Sequence, residues 1–417
     1  MAGMQALARE PGPRLDAALR GAVRVLFILF VASIPAEYAL VLPGVGSVSR
    51  LVGAVLILFC ATDVIFRGVA RRLPAVLLLL TAFVLWSLAS VVWSFDPLLS
   101  ANRATTYLQL LVMAWVIWEN VRTEEDLVAV AQAYVLGALL VATVTVWEFR
   151  SSSFAISLVT TDVRVAAFGA NPNELALTMV TAIPIALLLL RRSLSRIAAL
   201  FNGAYVILGT LAVILTASRA GAIALAVAGV SMLPMLRESR TSRKIMLAAG
   251  LLCLLVLFIS MVPDYTLQRI ASIGAKLQRM DFNNRTVNWM AGLEMFSERP
   301  FLGVGAGAFE SATAHLIEVP RSSHSTWIGV LVETGVIGAG LWISALLMAL
   351  YELRAAPALW RRALLAAIVP MLVGMLVTGW DHRKVPWFLL MLAICAAAGT
   401  ATIAGTVEPR QDAVTTK

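Results

Sequence analysis

From one end to the other, the chain alternates long apolar runs with short polar breaks. The runs lie at about 24–42, 50–66, 74–94, 103–119, 127–148, 173–190, 197–216, 219–236, 245–262, 325–353, 360–379 and 385–404. A helix needs roughly 20 apolar residues to cross a hydrocarbon core about 30 Å thick. The pattern therefore predicts an all-α polytopic membrane protein with about 12 transmembrane helices. One break is of a different kind, a long hydrophilic insertion at 263–323 between the ninth and tenth runs. Within it, YTLQRIASIGAKLQRM and NNRTVNWMAGLEMFSER place apolar residues near helical spacing, which predicts two amphipathic helices on the bilayer surface or over a cavity. The second opens at Arg285, with Asn283 and Asn284 placed to cap it. The expected organisation is a tail at 1–23, one membrane domain at 24–404 that includes the insertion, and a tail at 405–417.

Charge orients this array. With a cytoplasmic N-terminus, the inner breaks hold Arg67, Arg71 and Arg72, then Arg191, Arg192 and Arg196, then Arg237, Arg240, Arg243 and Lys244, and other smaller groups. In all they collect 20 of the 33 Lys and Arg residues, and most short outer breaks carry only one or two. Both termini are thus expected in the cytoplasm and the 263–323 loop outside it. The net charge of +9 then reflects topology and attraction to anionic membrane lipids, and gives no reason to expect a nucleic-acid surface.

Composition agrees, since 60% hydrophobic and 14% charged residues at a mean hydropathy of +0.87 exclude an ordinary soluble protein. The first run is too long for a signal-peptide core and lacks a small-residue cleavage site, so it reads as a retained helix. Cys60, Cys253 and Cys395 each sit alone inside an apolar run, as packing residues do. Glu37, Asp63, Glu119 and Glu148 lie near helix ends and would be costly against lipid, which predicts interhelical or headgroup-level hydrogen bonds.

Chemistry concentrates later in the chain. After Arg164, Asn171-Pro172-Asn173 offers turn residues and a helix N-cap, with Glu174 in the first turn. Thr216 to Gly221 makes a very short outer turn that wedges Arg219 between two apolar helices, where it either snorkels to the surface or meets an anion in the space its small neighbours leave. FLGVGAGAF at 301–309 has neither a strand before it nor a Lys-Ser/Thr after it. It reads as a tight turn packed on a neighbour and not as a phosphate loop.

The stretch RSSHSTWIGVLVETGVIG, 321–338, turns a polar entry directly into an apolar helix. Ser322 or Ser323 is expected to cap that helix, placing His324 at or near its first turn. There the helix dipole opposes a charged imidazole and keeps it in the neutral form that a general base needs. Ile328 and Leu331 should share a face with His324, whereas Glu333 falls about half a turn away and reads as structural. Gly329, Gly335, Gly338 and Gly340 permit close helix packing.

Taken in order, NPNELA, SRAG, the Arg285–Trp289 segment, RPFLGVGAGAF, SSHSTWIGVLVETGVIG and DHRKVPWF resemble the O-antigen ligase and polymerase family of bacterial membrane glycosyltransferases. The resemblance covers roughly residues 160–390, and the family's usual His-Asn pair is His324-Ser325 here. It implies a fold similar to the C-type glycosyltransferases, with a lateral, outward-facing cavity beneath the long loop, in the bacterial inner membrane. It implies a glycan donor on undecaprenyl diphosphate, and lipid A core or a growing glycan as acceptor. Carried over residue by residue, Arg219 and Arg285 correspond to diphosphate-binding arginines and His324 to the residue that activates the acceptor hydroxyl, with Arg164, Asn173 and Arg321 as further substrate contacts. No cofactor is implied. The chain has no D-x-D pair, which favours a metal-independent reaction. A different class, a transporter or flippase-like protein for an anionic or lipid-linked substrate, would also use about 12 helices and Arg-lined cavities. Broken helices and inverted repeats would mark it.

Overall fold

The computed structural model describes residues 13–37, 41–42, 46–156, 167–192, 195–237, 266–267, 271–272, 285–317 and 321–404. The protein is an all-α bundle. In chain order the helices are α1 (Pro13–Ser33), α2 (Val48–Arg67), α3 (Ala75–Ala89), α4 (Pro97–Asn120), α5 (Glu124–Ile156), α6 (Pro172–Arg192), α7 (Arg196–Leu215) and α8 (Arg219–Arg237). They continue with α9 (Arg285–Glu298), the short α10 (Phe309–Thr313), α11 (Thr326–Glu352), α12 (Ala358–Gly374) and α13 (Lys384–Ala404). A two-residue hairpin, β1 (Val41–Leu42) with β2 (Gly46–Ser47), links α1 to α2.

Eleven of the twelve apolar runs are helices, and the run at 245–262 lies outside the described residues. Among the described residues, six helices are long and apolar enough to cross a membrane: α2, α3 with its one-turn extension, α5, α6, α7 and α11. The first helix departs from expectation. It begins at Pro13 and stops at Ser33, because Pro35 cannot donate to the helical ladder and the chain turns into the hairpin.

Burial sorts the helices by position. In α6, 89% of the apolar window is buried, against 28% in α2 and 33% in α7. Every residue of α6 from Glu174 to Leu189 is buried, so α6 is apolar and covered all round, as a central helix must be. The start of α13 is similar from Val385 to Ala397, and Trp387, Trp342 and Phe83 fill the space between α13, α11 and α3. Cys60 and Cys395 are buried packing residues, and Cys253 lies outside the described region.

Contacts assign the helix ends. Glu124 at the start of α5 meets Arg192 at the end of α6 at 2.6 Å and Trp360 near the start of α12 at 3.3 Å. At the opposite end, Lys384 at the start of α13 meets Glu37 after α1 at 2.9 Å and Ser49 at the start of α2 at 2.6 Å. The acidic residues near helix ends are partnered as expected. Buried Glu119 accepts from Arg67, Arg122 and the Arg71 backbone, Asp63 pairs with Arg67, and Glu148 accepts from the Phe168 N–H.

One helix is broken. Gly335, ten residues into α11, has φ 67° and ψ −175°, a conformation essentially reserved for glycine. Residues 300–307 repair the break. Val304 N–H donates to the Val332 carbonyl at 3.0 Å, Gly305 N–H to Glu333 at 2.9 Å, and the Trp86 indole to Thr334 at 2.8 Å. The Pro300 carbonyl accepts from Val336 N–H at 2.8 Å. A β-carbon on Gly335 would run into the Phe301 carbonyl, and one on Gly303 into that of Glu333, so the two backbones touch. FLGVGAGAF is thus a turn packed on a neighbour, as expected. Gly335 differs from expectation, because it opens its helix and does not merely pack it. Gly340 meets nothing within 4 Å and mediates no close packing.

Candidate functional site

Three helix N-termini and one strained turn converge at the end of the bundle that carries Lys384. The first is α6, where the Asn171 side chain accepts from the Asn173 N–H at 2.9 Å and caps the helix. Asn173 accepts in turn from the Ser218 hydroxyl at 2.7 Å, and Ser218 Oγ accepts from the Gly221 N–H at 3.1 Å. Ser218 therefore caps α8 and makes Arg219 its first residue. The turn before it is tight enough to hold Ala217 at φ 50°, and a β-carbon on Gly221 would meet Ala176 of α6 at 2.5 Å.

Arg285 opens α9. Burial lowers its guanidinium pKa from the ordinary value, and the nearby charge of Arg219 lowers it further. Two guanidiniums, each at a helix N-terminus, share one region. Such an arrangement is unfavourable by itself and complementary to an anion. Arg321 is exposed at the edge of the same region.

His324 occupies the turn between this charge and α11. Its φ of 48° is rare for a residue with a β-carbon. The turn is held from three sides. Trp289 of α9 donates to the Ser323 carbonyl at 2.7 Å, and the Ser323 hydroxyl donates to the Ser325 carbonyl at 2.8 Å. Thr326 N–H donates to the Met375 and Thr378 carbonyls at 2.9 and 3.1 Å. The helix cap is Ser325, whose side chain accepts from the Ile328 N–H, and not Ser322 or Ser323. His324 consequently precedes the cap and shares no helical face with Ile328 and Leu331. Its imidazole pKa is lowered, as expected, by burial first and then by Arg285 and Arg321, against the smaller pull of Glu310 and Glu174. The cause is thus mainly desolvation and nearby cations.

The structure therefore brings Arg285 within electrostatic range of both Arg219 and His324, and His324 within range of Arg321, with Asn173 beside the turn that presents Arg219. Arg164 lies outside the described residues, as do Asn283, Asn284 and almost all of the first amphipathic segment. Among the described residues, no three His, Cys, Asp or Glu side chains form a group that could hold a metal ion.

Behind the site, DHRK at 381–384 distributes four consecutive side chains. Arg383 pairs with Glu174, and Lys384 pairs with Glu37. Asp381 accepts from the Tyr107 hydroxyl at 2.6 Å and lies 3.5 Å from Arg103, whose guanidinium is 3.2 Å from His382 Nδ1. Burial alone would raise the Asp381 carboxyl, but His382, Arg103 and Tyr107 hold it well below the usual carboxylate range. Glu333 belongs to this second network. It accepts from the Gly307 N–H at 2.7 Å and lies 3.9 Å from Arg103, which agrees with a structural role. Sequence reasoning singled out DHRK but assigned it no partners, and it passed over Arg103. The available signal was the cost of so many ionisable groups between apolar helices.

The segment that builds most of this site has relatives. Residues 204–343 match the model of the O-antigen ligase family, a span from α7 into α11 that contains Arg219, Arg285, Arg321 and His324. Over this third of its length the chain is similar to that family. No curated protein matches it. That likeness supports a glycosyltransferase-type role in polysaccharide assembly at a membrane. Asn173, Glu174 and the DHRK loop lie outside the matched span and reach the site only through the fold.

Proposed function

We propose that the protein transfers a glycan from undecaprenyl diphosphate to an acceptor hydroxyl at the extracytoplasmic face of a bacterial inner membrane. The acceptor is lipid A core for a ligase, or a growing glycan for a polymerase. The observation that carries this reading is the meeting of Arg219 and Arg285, two like charges at helix N-termini, next to a histidine held neutral by burial and by cations.

In this reaction His324 takes the proton from the acceptor oxygen as that oxygen bonds to the anomeric carbon of the donor. The bond from that carbon to the phosphate oxygen breaks, and its electron pair leaves with the diphosphate. Arg219 and Arg285 receive the growing negative charge through paired N–H groups that stay protonated in a poorly solvated site. Diphosphate is a good leaving group, so two guanidiniums suffice and no metal is required. A single in-line displacement inverts the anomeric configuration, which NMR of the product reads directly. Arg321 and Asn173 line the approach to substrate.

A transporter reading draws on the broken helix at Gly335, a feature of many carriers. Here the backbone groups around the break are bonded to residues 300–305 and Trp86, which favours a fixed scaffold over a moving gate.

The test is a deletion strain complemented with His324→Ala, Arg219→Ala or Arg285→Ala. Each variant should insert normally and lose transfer, about 10²–10⁴-fold for the base alone. Long chains stranded on the carrier identify a ligase, and single repeats on the usual acceptor identify a polymerase. Near-normal glycan in the His324→Ala strain overturns the mechanism.

A further inference from the structure

Beside the DHRK loop, against His382 and Lys384, lies a cavity of about 340 Å³ between α1, α2 and α4. Its wall is mostly apolar, with Phe30, Leu56, Ile57, Leu110, Met113 and Val116, and is interrupted on α4 by Thr106 and Gln109. Its mouth is polar, with Arg50, Glu37, His382 and Lys384. The single carboxylate there is already engaged, because Glu37 pairs with Lys384 at 2.9 Å. Arg50 is exposed at the rim, and its charge is close enough to be felt by Lys384. The mouth therefore carries an excess of positive charge above an apolar interior.

The α2 face beside the opening, Leu51, Val55 and Leu58, is 41–66% exposed, as a surface against hydrocarbon would be. An apolar chain can thus enter sideways from the bilayer. At about 30 Å³ per water-sized group, the volume suits roughly eleven methylenes. That is most of one acyl chain and too little for a pair.

We propose that this cavity binds one acyl chain of an anionic bilayer phospholipid, whose phosphate head sits at Arg50 and Lys384. The bound lipid fills the contact between α1, α2 and α4 and touches the same loop that Arg383 ties to Glu174. The site is independent of the transfer reaction, so it stands or falls separately from the proposed function.

The experiment is native mass spectrometry of the full chain in detergent, titrated with phosphatidylglycerol, phosphatidylcholine or undecaprenyl phosphate. One phosphatidylglycerol should be retained, on the order of tenfold more tightly than phosphatidylcholine, since each nearby basic residue attracts an anionic headgroup. Arg50→Glu, at the exposed rim, should abolish that preference. Ala54→Trp, which fills the cavity, should abolish retention of both phospholipids, whereas Arg219→Ala should leave it intact. Equal retention of the two phospholipids, wild-type retention in Ala54→Trp, or displacement by undecaprenyl phosphate at lower concentration than phosphatidylglycerol overturns the proposal.

Discussion

Arg383 and Glu174 meet face to face, with Nε 2.9 Å from Oε2 and Nη2 donating to Oε1 at 3.2 Å. The contact joins the loop before α13 to the first turn of α6, next to Asn173, whose side chain holds the turn that leads to Arg219. Glu174 is 11% and Arg383 29% exposed, which places the pair between surface and buried ion pairs. Glu174→Gln should therefore lower stability by roughly 1–3 kcal/mol, seen as a lower Tm in detergent. It should also reduce transfer, because the α6 start holds Asn173 against Ser218. An unchanged Tm together with unchanged transfer would remove the pair from the account.

The pH profile of transfer reports on His324. A base whose pKa lies below the usual histidine value of about 6.5 stays neutral until the pH drops past that lowered value, so activity should fall only on the acid side of about 6.5. Arg321→Gln removes a cation and should move this acid limb to higher pH. Glu310→Gln removes a carboxylate and should move it lower. Shifts of the same sign in both variants contradict the assignment.

Glycine substitution separates the break in α11 from ordinary helix. Gly335→Ala forces a β-carbon into the Phe301 carbonyl and into a backbone region closed to it, for a cost of about 3 kcal/mol or more. Gly340→Ala, with open space around it, should be neutral or stabilising by roughly 0.5–1 kcal/mol. Thermal unfolding of the two variants in one detergent makes the comparison.

The network on Asp381 should behave as a coupled unit. Asp381→Ala leaves Arg103 with Glu333, at a longer 3.9 Å, in place of its nearer carboxylate and should cost about 3–5 kcal/mol. Tyr107→Phe should cost about 1 kcal/mol, and the double variant less than the sum. Since the folded carboxyl lies below its unfolded pKa, its contribution is complete above about pH 4 and is withdrawn as the pH falls through the folded value. Stability of the Asp381→Ala variant should accordingly depend less on pH in that acid range.

Much of the fold was legible because a bilayer demands apolar runs of a set length, and α2 to α8 and α11 to α13 lie where those runs are. The break at Gly335 was not. VETGVIG is continuous in hydropathy, and periodicity carries no information about a single φ. The cap at Ser325 was missed for a related reason, since three serines compete and the choice is made by His324 and by the tie of Thr326 to α12. The meeting of Arg219 and Arg285 followed from resemblance and not from spacing, because only the folded bundle brings α8 and α9 together. For the same reason the four destinations of DHRK are a property of tertiary structure.

The gap in α11 also bears on how the protein is made. In hydrocarbon, a bare backbone carbonyl costs several kcal/mol, so a helix broken at Gly335 is not a stable guest in the bilayer by itself. Its missing partners lie upstream, at Pro300, Val304 and Gly305, and they leave the ribosome before Thr326 does. Residues 300–305 therefore have to be at hand when α11 enters the bilayer. Assembly of this half of the protein is an ordered event, in which the loop serves as the template on which the next helix is completed.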